Sequence, residues 1–150
     1  MKLDMILPLG DPRLYQKCDK VLIEELNSLK PIIQDLHDIL FEFRAKYNAG
    51  RAIAAPQIGI LKRIIYMHID KPVVIINPIV SDLSDEMFEL WDDCMCFPNL
   101  LVRLKRHTSI TLTFKDEYWK NTQENLVAAF LNSFNMSMTI WKEFWPPNGP

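Results

Sequence analysis

The strongest constraint on this chain is a change of hydrophobic period across one ten-residue stretch. From Leu29 the apolar positions Leu29, Ile32, Ile33, Leu36, Leu40, Phe43 and Tyr47 recur at spacings of three and four, the pattern of a helix with one buried face. Then comes Gly50-Arg51-Ala52-Ile53-Ala54-Ala55-Pro56-Gln57-Ile58-Gly59. Beyond it the pattern turns β-branched and continuous, in Ile64-Ile65-Tyr66-Met67-His68-Ile69 and Val73-Val74-Ile75-Ile76, with Asp70-Lys71-Pro72 as the turn between two strands. Ser28 is placed to cap the helix, Pro31 fits its first turn, and Gly50 falls just past its end, where a left-handed residue is often needed. The stretch itself admits two readings. It is a loop with a helix-stopping glycine, or a backbone that passes close to a ligand, with Gln57 offering an acceptor and two donors.

The rest of the chain reads as further β-structure. Ile6 to Leu14 is dense in turn formers and is expected to cross the body as an irregular arm pinned by its leucines. Asn77-Pro78 is expected to interrupt the second strand. Strands are expected at Glu86 to Leu90, Leu100 to Lys105 and Ser109 to Phe114, the last alternating like a half-buried strand, with a turn at Lys115-Asp116-Glu117. Val127, Phe130, Leu131, Phe134, Met138, Trp141 and Trp145 keep a helical spacing, and the tail from Pro146 to Pro150 reads as disordered.

At 150 residues and 49% hydrophobic, the chain can bury a core of its own, and one domain spanning 1–150 is expected. Seventeen basic residues against nineteen acidic ones give a net charge of -2, which is no footprint for nucleic acid or an anionic membrane. The N-terminus lacks the apolar core of a signal peptide and no apolar run approaches a bilayer's width, so a cytoplasmic monomer is expected. Cys18, Cys94 and Cys96 are odd in number and without framework spacing, so reduced thiols are expected.

Three landmarks in this order resemble the peptide deformylases: the arm Gly10-Asp11-Pro12-Arg13-Leu14, the stretch Gly50 to Gly59, and Asp92-Asp93-Cys94-Met95-Cys96-Phe97-Pro98. The family's first motif reads Gly-x-Gly-x-Ala-Ala-x-Gln and its second Glu-Gly-Cys-x-Ser; the resemblance runs from about residue 5 to residue 130. It implies an α+β fold with mixed or antiparallel sheets around a helix, and removal of the formyl group from the initiator methionine of nascent chains. It further implies a metal, Fe²⁺ or else Zn²⁺ or Ni²⁺, bound by the Cys94 thiolate. Gln57 and the backbone N–H of Met95 would bind the oxyanion, and Gly50, Arg51, Ala52 and Ile53 would face the substrate, an N-formylmethionyl peptide on a ribosome-associated nascent chain. Ala52 stands where a second glycine is usual and Arg51 where an apolar residue is common, while Asp92-Asp93 replaces Glu-Gly and Cys96 replaces serine. Arg103 and Arg106 read as a solvated strand face rather than a substrate anchor, and Cys94-x-Cys96 as ordinary half-buried thiols rather than a soft-metal pair.

The family's third motif, a helix carrying Gln-His-Glu-x-x-His, has no counterpart here. His37, His68 and His107 are the chain's three histidines, and none has that spacing. His37 falls beside the helical stripe and reads as structural or exposed, and His68 and His107 read as structural. The genetic code suggests a cause. If the last base of each codon from near Asn132 is joined to the next two, residues 134 to 143 can read Gln-His-Glu-(His/Tyr)-Asp-His-Leu-Glu-Gly, the missing motif. Residues from about Leu131 are therefore expected to be a frameshifted deformylase C-terminus, folding as an atypical helix or a frayed tail. With two imidazoles and the glutamate gone, the chain as written is expected to hold metal weakly or not at all and to lack turnover. The alternative is a non-catalytic descendant that binds peptides or a partner.

Overall fold

The computed structural model describes residues 2–8, 10–82, 84–94 and 97–127. Among these residues one α-helix, α1 (Leu29–Tyr47), precedes seven strands: β1 (Ala52–Ala54), β2 (Ile64–His68), β3 (Pro72–Ser81), β4 (Met87–Cys94), β5 (Phe97–His107), β6 (Ser109–Lys115) and β7 (Asn121–Val127). Five of them form a sheet in the order β1-β2-β3-β6-β7, and β4 and β5 form a separate hairpin. Every pairing in both sheets is antiparallel. The architecture is thus α+β, with antiparallel rather than mixed sheets. No helix among the described residues is long and apolar enough to cross a membrane.

Two apolar clusters explain why β2 shows no alternation in sequence. Leu36, Ile39, Leu40 and Phe43 of α1 pack with Ile53, Ile64, Tyr66, Val74 and Ile76, while Ala52, Ala54, Ile65, Met67, Ile75, Leu112 and Phe114 make a second cluster. From Ile64 to Met67 successive residues of β2 fall in different clusters, so both faces are buried there and these four positions are apolar. In β6 the alternating positions Ile110, Leu112 and Phe114 share the second cluster, as its pattern suggested. The five helix side chains buried here, Leu29, Leu36, Ile39, Leu40 and Phe43, contribute on the order of 10 kcal/mol before the entropy of ordering them is subtracted.

Four local expectations are corrected. Ser28 does not cap α1: a 3₁₀ turn, Ile23–Ser28, runs directly into the helix, and the Ser28 hydroxyl donates to the Glu25 carbonyl at 2.6 Å. The left-handed residue that ends α1 is Asn48, at φ 50°, two positions before Gly50. Asn77-Pro78 does not break β3, which continues to Ser81 through a register shift between Ile76 and Ile79. A bulge is one of the few places where a strand tolerates the missing N–H of proline. Asn77 takes φ 51° there, and its side chain turns to the N-terminal segment: Oδ1 accepts from Val21 N and Nδ2 donates to the Val21 carbonyl, both at 2.8 Å. Strand β7 was not anticipated. It pairs with β6 from Ser109 opposite Val127 to Lys115 opposite Asn121, so Val127 ends a strand instead of opening a helix. The rest of the expected C-terminal helix, and the tail, lie outside the described residues.

Candidate functional site

Gly50 to Gly59 forms one corner, buried from Ala52 to Ile58, at the edge of the larger sheet among the described residues. Gly50, at φ 107°, leads into β1, and Gly59, at φ 81°, leaves the 3₁₀ turn Ala55–Ile58. Both are left-handed conformations that favour glycine. The Arg51 carbonyl accepts from His68 N at 2.9 Å, and the register continues with Ile53 opposite Tyr66. Antiparallel pairs alternate, so the N–H and C=O groups of Ala52 and Ala54 point away from β2. The Ala54 N–H meets Gln57 Oε1 at 2.8 Å, and Gln57 is completely buried. With its oxygen held this way, the amide NH₂ has a defined direction.

The N-terminal arm packs on the same corner. Leu7 N donates to the Gln57 carbonyl at 2.8 Å, and Arg13 makes a two-point pair with Asp11, Nε to Oδ1 at 3.1 Å and Nη2 to Oδ2 at 2.8 Å. The guanidinium holds the Asp11 carboxyl below its usual range. A β-carbon added to Gly59 would come within 3.3 Å of Arg13 Nη1, so the arm and the turn are in close approach. Two of the three sequence landmarks are thereby brought together.

The third lies elsewhere in the topology. Cys94 ends β4 opposite Phe97, at the tip of the β4–β5 hairpin, and Met95 and Cys96 lie outside the described residues. Arg103 and Arg106 stand on β5 opposite Trp91 and Phe88. The base of the same hairpin pairs Met87 with His107, seven positions from Cys94, or about 23 Å along a strand. His107 and Cys94 therefore stand at opposite ends of the hairpin. His37 and His68 are committed to another partner: the Tyr66 hydroxyl lies 2.6 Å from His37 Nδ1 and 3.2 Å from His68 Nδ1. Among the described residues no group of three or more His, Cys, Asp or Glu is placed to hold a metal ion. The described side chains do not fit the three-ligand metal that the resemblance implies.

The His37–Tyr66–His68 cluster is the feature that sequence reading missed. Tyr66 and His68 stand two apart on one strand and so share a face, which is a usable signal; His37 comes from α1, 29 positions away. Burial raises the Tyr66 phenol above its ordinary value, with Glu117 adding to the rise and Arg44 opposing it. Phe41 lies against both imidazoles, with ring centroids 4.5 Å from His37 and 5.0 Å from His68.

The fold and this corner define an α+β protein with, among the described residues, one α-helix, a five-stranded antiparallel sheet and a hairpin, and a buried glutamine beside the strand at the sheet's edge. Solved structures of the same fold include the peptide deformylases of Thermotoga maritima (TM-score 0.81, 24% identity, covering 92% of this chain and 90% of that one) and Thermus thermophilus (TM-score 0.80, 23% identity, 92% and 80%). The family model described as polypeptide deformylase matches residues 3–131, and the chain belongs to that family. Among its relatives, the peptide deformylase of Thermosynechococcus vestitus is 28% identical over 114 residues, covering 71% of this chain and 61% of the relative. That of Natranaerobius thermophilus is 34% identical over 104 residues, covering 68% and 63%. The chain thus spans less than two thirds of the length of these two relatives.

Proposed function

We propose that this chain carries the formyl-peptide groove of a deformylase without the full set of groups for hydrolysis. The observation that carries the reading is the corner around Gln57: a completely buried amide, oriented by Ala54 N, beside an edge strand whose Ala52 groups point outward. An extended peptide can add to such an edge through main-chain hydrogen bonds. Gly50, Arg51, Ala52 and Ile53 form that wall, and the Gln57 amide donates to the formyl oxygen. The Met95 N–H serves as a second donor, and Cys94 remains as the single metal-type ligand of the family's set. Because the three histidines are placed or bonded elsewhere, no hydrolytic step is assigned to the chain as written. The same facts favour the second reading, a non-catalytic member that retains peptide or partner binding.

A metal content measurement combined with deformylation of an N-formylmethionyl peptide tests this. Substoichiometric iron or zinc, no turnover and measurable peptide binding are expected; stoichiometric metal with turnover refutes it. Sequencing the coding DNA of residues 130 to 145 tests the origin of the loss, which requires the Gln-His-Glu-x-x-His motif one frame over.

A further inference from the structure

Arg44, in the last turn of α1, makes contacts that the reading above does not use. Its Nε donates to the Gly50 carbonyl at 2.6 Å, and its Nη2 donates to the carbonyl of His68. One guanidinium therefore grips both chains at the end of the ladder where β1 begins and β2 ends. The His68 N–H closes the same end by donating to the Arg51 carbonyl at 2.9 Å. The guanidinium is itself held, 5.0 Å over the Phe41 ring, and its charge sits where the helix C-terminus favours a cation. A left-handed Gly50 lets its carbonyl turn back toward the helix.

The grip matters because β1 has only three residues and pairs with β2 on one side among the described residues. So short an edge strand opens easily unless its ends are anchored. Gln57 anchors one end, at Ala54, and Arg44 the other, at Gly50. We infer that Arg44 is a positioning residue for the peptide-facing edge: its two-carbonyl fork fixes the direction of the outward N–H and C=O of Ala52. The inference rests on the proposed role of β1 as the groove wall. Lysine, a single point donor without a planar fork, cannot reproduce it fully.

The test uses Arg44→Met and Arg44→Lys in the full chain, with amide hydrogen exchange and binding of an N-formylmethionyl tripeptide as readouts. In the Met variant, exchange at Ile53 and His68 is expected to accelerate at least tenfold with Leu112 unchanged, and peptide affinity to fall about tenfold. The Lys variant is expected between wild type and Met. Unchanged exchange at Ile53 and His68, equal acceleration throughout the sheet, or full rescue by Lys overturns the inference. Should the Met variant fail to fold, Lys at wild-type exchange overturns it and selective acceleration supports it. If the wild-type chain binds no peptide, the groove reading fails, while exchange still decides what Arg44 does.

Discussion

The Asn77 staple offers the sharpest test of how this chain holds its N-terminal segment to the sheet. Asn77→Ala removes an acceptor and a donor, each 2.8 Å from Val21, whose own residue is buried, and forces alanine into φ 51°. Two lost hydrogen bonds cost about 1 kcal/mol each and a non-glycine residue without a polar side chain in the left-handed region about 1 more, giving roughly 3 kcal/mol. For a chain of this size that is a fall in melting temperature of about 6–12 °C. Asn77→Gly relieves the backbone and should cost only the hydrogen bonds, about 2 kcal/mol. Urea denaturation of the three proteins measures both differences. If the Ala variant lies within about 0.5 kcal/mol of wild type, the staple contributes nothing; if Gly and Ala are equal, the backbone argument is wrong.

Two further predictions concern protonation. Tyr66, raised by burial above the ordinary phenol value of 10.0, keeps its proton in the folded state after the unfolded state has lost it. Its contribution is complete below pH 10 and disappears as pH rises through the folded value; Tyr66→Phe should abolish that part of the alkaline loss in a pH series of melting curves. On the surface, Lys2 Nζ bonds Asp38 Oδ2 at 2.5 Å and Asp35 Oδ1 at 3.0 Å, and Lys2, with help from Gln34, lowers the Asp38 carboxyl below 3.8. A lowered carboxyl stabilises above its unfolded pKa and loses that effect as pH falls through the folded one. The melting difference between wild type and Lys2→Ala should therefore vanish well below pH 3.8, and in high salt, because these groups are solvent-screened; a difference that persists in acid contradicts the pairing.

Local periodicity accounts for what was readable without coordinates. A helix with one apolar stripe, the β2–β3 hairpin and the alternating β6 each announce themselves within a dozen residues, because burial of one face or two repeats at 3.6 or 2. The small residues before Gln57 announced a compact backbone but left open whether it was a loop or a close approach, and the burial of the Gln57 amide had no signal in the sequence. Polar β7, with Asn121, Gln123, Glu124 and Asn125 exposed, had no apolar rhythm to betray it. Pro78 misled because proline's missing donor is harmless at a bulge, and a bulge has no local signature. The helix start at Leu29 was obscured by the 3₁₀ turn that leads into it.

By itself, then, the order of residues decided the α+β class, the order of landmarks, and the absence of any His-Glu-x-x-His spacing among three histidines. These are properties of neighbours along the chain. Tertiary structure alone decided that Arg44 reaches His68 across 24 positions, His37 reaches Tyr66 across 29, and Asn77 reaches Val21 across 56. Contacts at such separations depend on how the helix and sheet pack, and they leave no period in the sequence to read.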